Sequence, residues 1–195
     1  KQKGPTLYGN EINDGFGMSI ALSVQPRDQQ HINERVWLAI GSNSGYAQLW
    51  SINEGLWYRL DDDDDNNNSN DGVLLKLKHP EGKEGGRVIV SMAGSGQALF
   101  VGYPSFDSDR GMVRSFGIEA VNTKASLTER FDSSTLRSLQ GSRQGDRFGT
   151  DIDTDTKGKF AVIGTDGGGY ARAVSFVADI PPSGEFRPVG NEIRV

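Results

Sequence analysis

The chain has 195 residues and a net charge of −5, with 26 glycines, 7 prolines, 2 histidines and no cysteine. That size suits one ordinary domain or two small ones, and the charge leaves no basic footprint for nucleic acid or an anionic membrane. The missing cysteines exclude disulfides, thiolate metal sites and thiol nucleophiles, and His31 and His79 are too few for a multi-histidine zinc site.

Glycine stands near twice its usual share of ~7%. Glycine and proline together stay below the level of low-complexity disorder, so the excess marks tight turns in a folded chain. No apolar run approaches the ~18 residues of a membrane-spanning helix. The opening KQKGPTLYGN carries no apolar stretch of the signal-peptide kind, so such a peptide is either absent or already removed.

In chain order the apolar residues form short clusters: MSIALSV (18–24), RVWLAIG (35–41), YAQLWSI (46–52), GVLLKLK (72–78), RVIVSM (87–92), ALFVGY (98–103), MVRSFGI (112–118), KFAVIG (159–164) and ARAVSFVA (171–178). Each is rich in Val, Ile, Phe or Trp and is bounded by Gly, Asn, Asp or Pro, which predicts strands. YAQLWSI alternates, as a half-buried strand does. VWLAI and FAVI are continuously apolar, as strands covered on both faces are. Residues 122–139 are the one segment that offers a helical turn. The run 61–71, DDDDDNNNSND, repels itself and reads as a solvated loop rather than a calcium loop. Asn67-Asn68-Ser69 within it is formally a glycosylation sequon.

The clusters repeat. The first copy runs Phe16-Gly17, MSIALS, VWLAI-Gly41, then Gly45-Tyr46-Ala47 and Leu56-Trp57-Tyr58. The last runs Phe148-Gly149, TDIDTD, KFAVI-Gly164, then Gly169-Tyr170-Ala171 and Glu185-Phe186-Arg187. A degenerate middle copy runs Gly85-Gly86, RVIVSM, ALFV-Gly102, then Gly111-Met112-Val113. Gly190-Asn191-Glu192-Ile193 echoes Gly9-Asn10-Glu11-Ile12. The reading is one all-β domain over 1–195, with units at about 9–60, 76–132 and 139–190. Each unit is a sheet of about four antiparallel strands. Such a sheet cannot bury both faces alone, so the units must pack on one another.

These motifs resemble the FG-GAP repeat, the blade unit of integrin α-subunit β-propellers. They resemble still more closely the FG-GAP-like repeats of algal and marine-microbial proteins. The resemblance covers about 150 residues, rests on Phe16, Gly17, Gly41, Gly102, Phe148, Gly149 and Gly164, and is weakest in the middle copy. It implies propeller-type blades, adhesion or scaffolding, and an extracellular or cell-surface setting, with an organelle interior as the other setting. Three units fall short of the roughly 4 to 8 blades of a closed propeller. That leaves a fragment, completion by a partner, or a prism-like pseudo-threefold arrangement. Integrin-type repeats also carry a calcium loop. Here Asp151, Asp153 and Asp155 hold its first three ligand places, but Thr156 replaces the glycine and Lys159 the final carboxylate. The alternative is an acidic strand face or turn.

No chemistry stands out beyond that. Neither histidine sits in a triad motif, Gly94-Ser95-Gly96 and Gly167-Gly168-Gly169 lack the Lys-Ser/Thr of a P-loop, and nothing selects a catalytic carboxylate pair. Trp37, Tyr46, Trp50, Trp57, Tyr58 and Tyr170 either pack between sheets or line a binding surface. Trp57 and Tyr58 are adjacent, so in a strand they face opposite ways and at least one is a candidate contact. The expectation is a non-catalytic repeat scaffold that needs no cofactor and binds a protein partner or its own copies. A glycan-binding lectin-like module is the alternative, and a carboxylate-dependent glycosidase or lyase the third reading.

Overall fold

The computed structural model describes residues 6–25, 35–53, 56–59, 74–75, 86–94, 96, 98–121, 124–129, 139–177, 185–189 and 192–194. The acidic run 61–71, the sequon within it, His31 and His79 lie outside the described residues.

The chain is all-β, with three antiparallel sheets following one another along the sequence, none of them closed. The first holds β1 (Ser19–Gln25), β2 (Arg35–Gly41), β3 (Ala47–Asn53) and β4 (Leu56–Arg59) in that order, with β5 (Leu74–Leu75) pairing the start of β3. The second holds β6 (Ile89–Met92), β7 (Ala98–Tyr103), β8 (Met112–Val121) and β9 (Lys124–Glu129). The third holds β10 (Asp151–Thr154), β11 (Phe160–Gly164), β12 (Tyr170–Val177) and β13 (Glu185–Pro188), with β14 (Ile193–Arg194) pairing the start of β12.

Segment 122–139 contains β9 at Lys124–Glu129, and Leu139 at its end stands in a 3-10 turn. Ala125 and Leu127 alternate with Ser126 and Thr128, β9 pairs with β8 from Val121↔Lys124 to Phe116↔Glu129, and Leu127 packs on the core. An apolar contact across the sheet outweighs the segment's weak local preference. A further helical turn is assigned at Phe106–Asp109, and Asp107, Ser108 and Asp109 there have positive φ.

Strand register aligns the sheets residue by residue. Ser19 faces Gly41, which faces Ala47; Ile89 faces Gly102, which faces Val113; Asp151 faces Gly164, which faces Ala171. Two residues before the first of each set stand Gly17, Arg87 and Gly149. Gly86 and Arg87, not Gly85 and Gly86, therefore occupy the Phe-Gly place of the middle unit. Gly17 and Gly149 have φ of 93° and 89°, a conformation that a side chain strains, which accounts for glycine after Phe16 and Phe148.

The sheets stack face to face, with β6 lying between β1 and β10. Trp37, Ala39 and Leu49 of the first sheet pack on Val90, Met92, Leu99 and Val101 of the second. The opposite face of the second sheet, with Ile89, Ala98 and Phe100, packs on Ile152, Ala161 and Ile163 of the third. Strands β6, β7 and β8 of the middle sheet thus contribute to both clusters, and β7 is buried along its whole length. Continuous apolar runs are the sequence signature of that position.

Candidate functional site

Two features recur at the edges of the units: a buried acid–tyrosine clasp and a glycine at which the next unit's backbone makes close contact. Both organise the junctions between sheets.

The clasp of the first unit centres on Asp14, which is buried. Its carboxylate accepts hydrogen bonds from the Phe16 N–H at 2.8 Å, the Glu11 N–H at 3.2 Å and the Tyr46 hydroxyl. The Tyr46 oxygen in turn accepts the Asn10 N–H at 2.9 Å. The third unit repeats this, its loop 132 positions later and its tyrosine 124. Asp146 accepts the Arg143 N–H at 2.8 Å and the Tyr170 hydroxyl at 2.9 Å, and Tyr170 accepts the Ser142 N–H at 3.0 Å. Phe16 stacks on Tyr46 at 6.3 Å, and Phe148 on Tyr170 at 6.4 Å. Burial pushes the Asp14 carboxyl up, but the bonds from Tyr46 and from backbone N–H groups outweigh it and hold the group below its ordinary value. Burial and the hydrogen bond to Asp14 push the Tyr46 hydroxyl up to about 12. The middle unit has Met112 in the tyrosine place and so has no clasp of this kind. The clasp was legible only by aligning Gly9–Gly17 with Gly141–Gly149, where Asp precedes Phe by two residues in both.

The clasp fixes a loop that docks on the preceding unit. Loop 141–148 donates Gly141 N–H to Gly111 O, Gly145 N–H to Ser108 O, Arg147 N–H to Asp109 O and Phe148 N–H to Arg110 O. Phe148 is 0% exposed as a result. A Cβ on Gly111 would overlap the Phe148 backbone, and one on Gly141 the Arg110 carbonyl.

The strand-ending glycines make room for the following unit. A Cβ on Gly41 would overlap the Val88 carbonyl oxygen, and one on Gly102 the Gly149 carbonyl oxygen. At the equivalent Gly164 a Cβ would meet only Asp151, with Cβ at 3.5 Å and O at 3.8 Å. Hydroxyls add to these contacts. Ser19 Oγ accepts the Val90 N–H at 3.0 Å, Ser23 Oγ donates to Ala93 O, and Thr154 Oγ1 donates to Met92 O at 3.1 Å.

Charged groups pin the strand that follows the third sheet. Glu192 accepts from Arg172 at 2.8 Å, Arg194 at 2.6 Å and Ser142 at 3.0 Å. The Arg172 and Arg194 guanidiniums pull its carboxyl down to about 2. Arg172 also lies 4.9 Å from the Phe148 ring centre and donates to Gln140 O. In the first unit Gln48 holds the equivalent place and donates to Asn10 Oδ1 at 3.2 Å.

The structure does not gather Asp151, Asp153 and Asp155 into a cation site. Asp151 and Asp153 share an exposed face of β10. Asp155 turns its carboxylate into its own hairpin, accepting N–H groups of Lys159 at 2.6 Å, Phe160 at 2.8 Å and Lys157 at 3.3 Å. Among the described residues no three His, Cys, Asp or Glu side chains converge as metal ligands. Trp37, Tyr46 and Tyr170 are core residues, and Trp50 is half-buried with its ring N–H on Gln48. Trp57 and Tyr58 lie in β4, and their side chains are outside the described residues. Among the described residues no helix is long and apolar enough to cross a membrane.

The surfaces left over are the two end faces of the stack. On β1, Ile20 is 62% and Leu22 61% exposed. Their equivalents Val90 and Met92 are buried by the first unit, and Ile152 by the second. On β11, Phe160 is 52% and Val162 48% exposed, where the equivalents Ala98 and Phe100, or Trp37 and Ala39, are buried. A scan of the chain against protein-family models gives no match, and a search of curated proteins gives none.

Proposed function

We propose that this chain is a non-catalytic, FG-GAP-like β-repeat scaffold whose three sheets are propeller-type blades. It acts through protein–protein contact, including self-assembly into a larger propeller, layer or shell. One observation carries the reading: Ile20 and Leu22 at one end of the stack and Phe160 and Val162 at the other are apolar and exposed, whereas Val90, Met92, Ala98 and Phe100 in the same places of the middle unit are buried. An exposed, contiguous apolar sheet face is a contact surface or an aggregation liability. The repeat supports contact, because the same positions make specific junctions elsewhere in the chain. Among the described residues the buried acids are Asp14 and Asp146, each occupied in holding a loop of its own unit, that of Asp146 docked on the second unit.

Photo-crosslinking tests the reading. A photoreactive side chain at Leu22 or at Val162, in the natural source, gives a defined higher-mass product. The same group at the exposed hairpin residue Thr156 gives none. Absence of a product from both faces contradicts the scaffold reading.

A further inference from the structure

We propose that the partner of the two end faces is a second copy of this chain, joined head to tail at both ends to close a ring of six units. The inference rests on the scaffold reading and names its partner.

The chain makes the same kind of contact twice within itself. One face of each unit, here its forward face, covers the opposite face of the next. The forward face of the third unit, with Phe160, Val162 and Gly164, and the rear face of the first, with Ile20 and Leu22, are the two halves of a third such contact. Gly164 is the sharpest mark. Gly41 and Gly102 admit a carbonyl of the following unit, and at Gly164 no carbonyl of another unit takes that place, a Cβ there meeting only Asp151 of its own sheet. Asp151 stands where Ser19 accepts the N–H of Val90, whose equivalent in the first unit is Ile20.

The backbone gives the contact its polarity. At the junction of the second and third units the loop donates N–H groups, and turn 108–111 supplies carbonyls. On the equivalent loop of the first unit, the N–H groups of Gly9, Asn13 and Gly15 have no partner among the described residues. The turn equivalent to 108–111 is Asp166-Gly167-Gly168-Gly169. At the first junction turn 42–45 both donates, Gly45 N–H to Gly86 O, and accepts, Gly86 N–H to Asn43 O, so both internal junctions join a loop of one unit to a turn of the one before it, and opposite ends match. Such a heterologous contact must close into a ring or run on as a filament. Closed propellers take roughly 4 to 8 blades. Two copies of these three units bring together six, a number within that range. Asp153 stands in the place of Ser91, which is buried, so closure desolvates a carboxylate. The contact is therefore weaker than the internal junctions, and association is reversible.

Light scattering on the purified chain over a wide concentration range tests this. The wild type reaches the mass of two chains and stays there. Leu22→Glu and Val162→Glu, at exposed positions and with unchanged circular dichroism, each remain single chains. Under mild oxidation an equimolar mixture of Ile20→Cys and Asp151→Cys gives a disulfide-linked pair, and neither variant does so alone. A wild type that stays a monomer overturns the proposal while the crosslinking of the preceding section still judges the scaffold reading. So does a mass that grows beyond two chains. Dissociation by only one of the two Glu variants overturns it as well, because that marks a contact between like faces.

Discussion

Phe148 and Phe16 occupy the same place in two loops of matching geometry, yet one is fully buried and the other half-buried. Each stacks on a tyrosine held by a buried aspartate. The difference is the neighbour: Phe148 is covered by the second unit, and no described unit covers Phe16. Gly102 and Gly164 form a second such pair at the forward faces, one against a carbonyl of the next unit and one against only Asp151 of its own sheet. Local structure in this chain is set by the unit's own sequence, whereas burial is set by what lies beside it.

The largest effect that sharpens this comparison is expected from the two phenylalanines. Phe148→Ala removes a side chain from a packed junction and should cost ~3–5 kcal/mol in urea unfolding. Phe16→Ala should cost less, ~1–2 kcal/mol, because solvent already reaches the ring. Equal losses would mean that the junction contributes nothing to Phe148.

The clasps come next. Asp146→Asn disturbs a buried carboxylate with two donors, and Asp14→Asn one with three. Each should cost ~1–3 kcal/mol at neutral pH. The Asp14 carboxyl is held below its ordinary value of 3.8, so its contribution is complete above that pH. As pH falls through the depressed folded value the contribution is lost. The gap between wild type and Asp14→Asn should therefore close on acidification, measured by unfolding at a series of pH values.

The smaller effect lies at Glu192. Its folded carboxyl titrates at about 2 against an ordinary 4.5, so the ion pairs with Arg172 and Arg194 act fully above 4.5 and are lost towards 2. Glu192→Gln should cost ~1 kcal/mol at neutral pH, less in high salt, and progressively less as pH falls from 4.5 towards 2.

Most strands were legible because β-branched and aromatic residues crowd between turn residues, and the continuous run VWLAI marked sheet packed on the second unit; FAVI looked the same, but one face of it is open, with Phe160 and Val162 exposed. The repeat was legible through Phe16-Gly17 and Phe148-Gly149, whose glycines are needed for backbone reasons that any copy shares. The middle unit was misphased by one residue, because Gly85-Gly86 looked like the missing pair and only strand register shows that Arg87 stands in the glycine place. The stretch 124–129 was not legible as strand, because Lys-Ala-Ser-Leu-Thr-Glu pairs with β8 for reasons that lie in β8. Asp151, Asp153 and Asp155 looked like a ligand set by spacing. Strand alternation and the hydrogen bonds from the 157–160 backbone direct them otherwise.

One pair of variants tests the central claim that Gly164 is an internal-type junction left open. Gly102→Val and Gly164→Val make the same change at equivalent strand ends. Unfolding is measured in dilute solution and mass by light scattering in concentrated solution. Gly102→Val should lose ~1–3 kcal/mol from the clash with the third unit. Gly164→Val should keep the wild-type unfolding midpoint to within ~0.5 kcal/mol and lose the two-chain species. A Gly164→Val chain that is destabilised like Gly102→Val, or that pairs as the wild type does, contradicts the account.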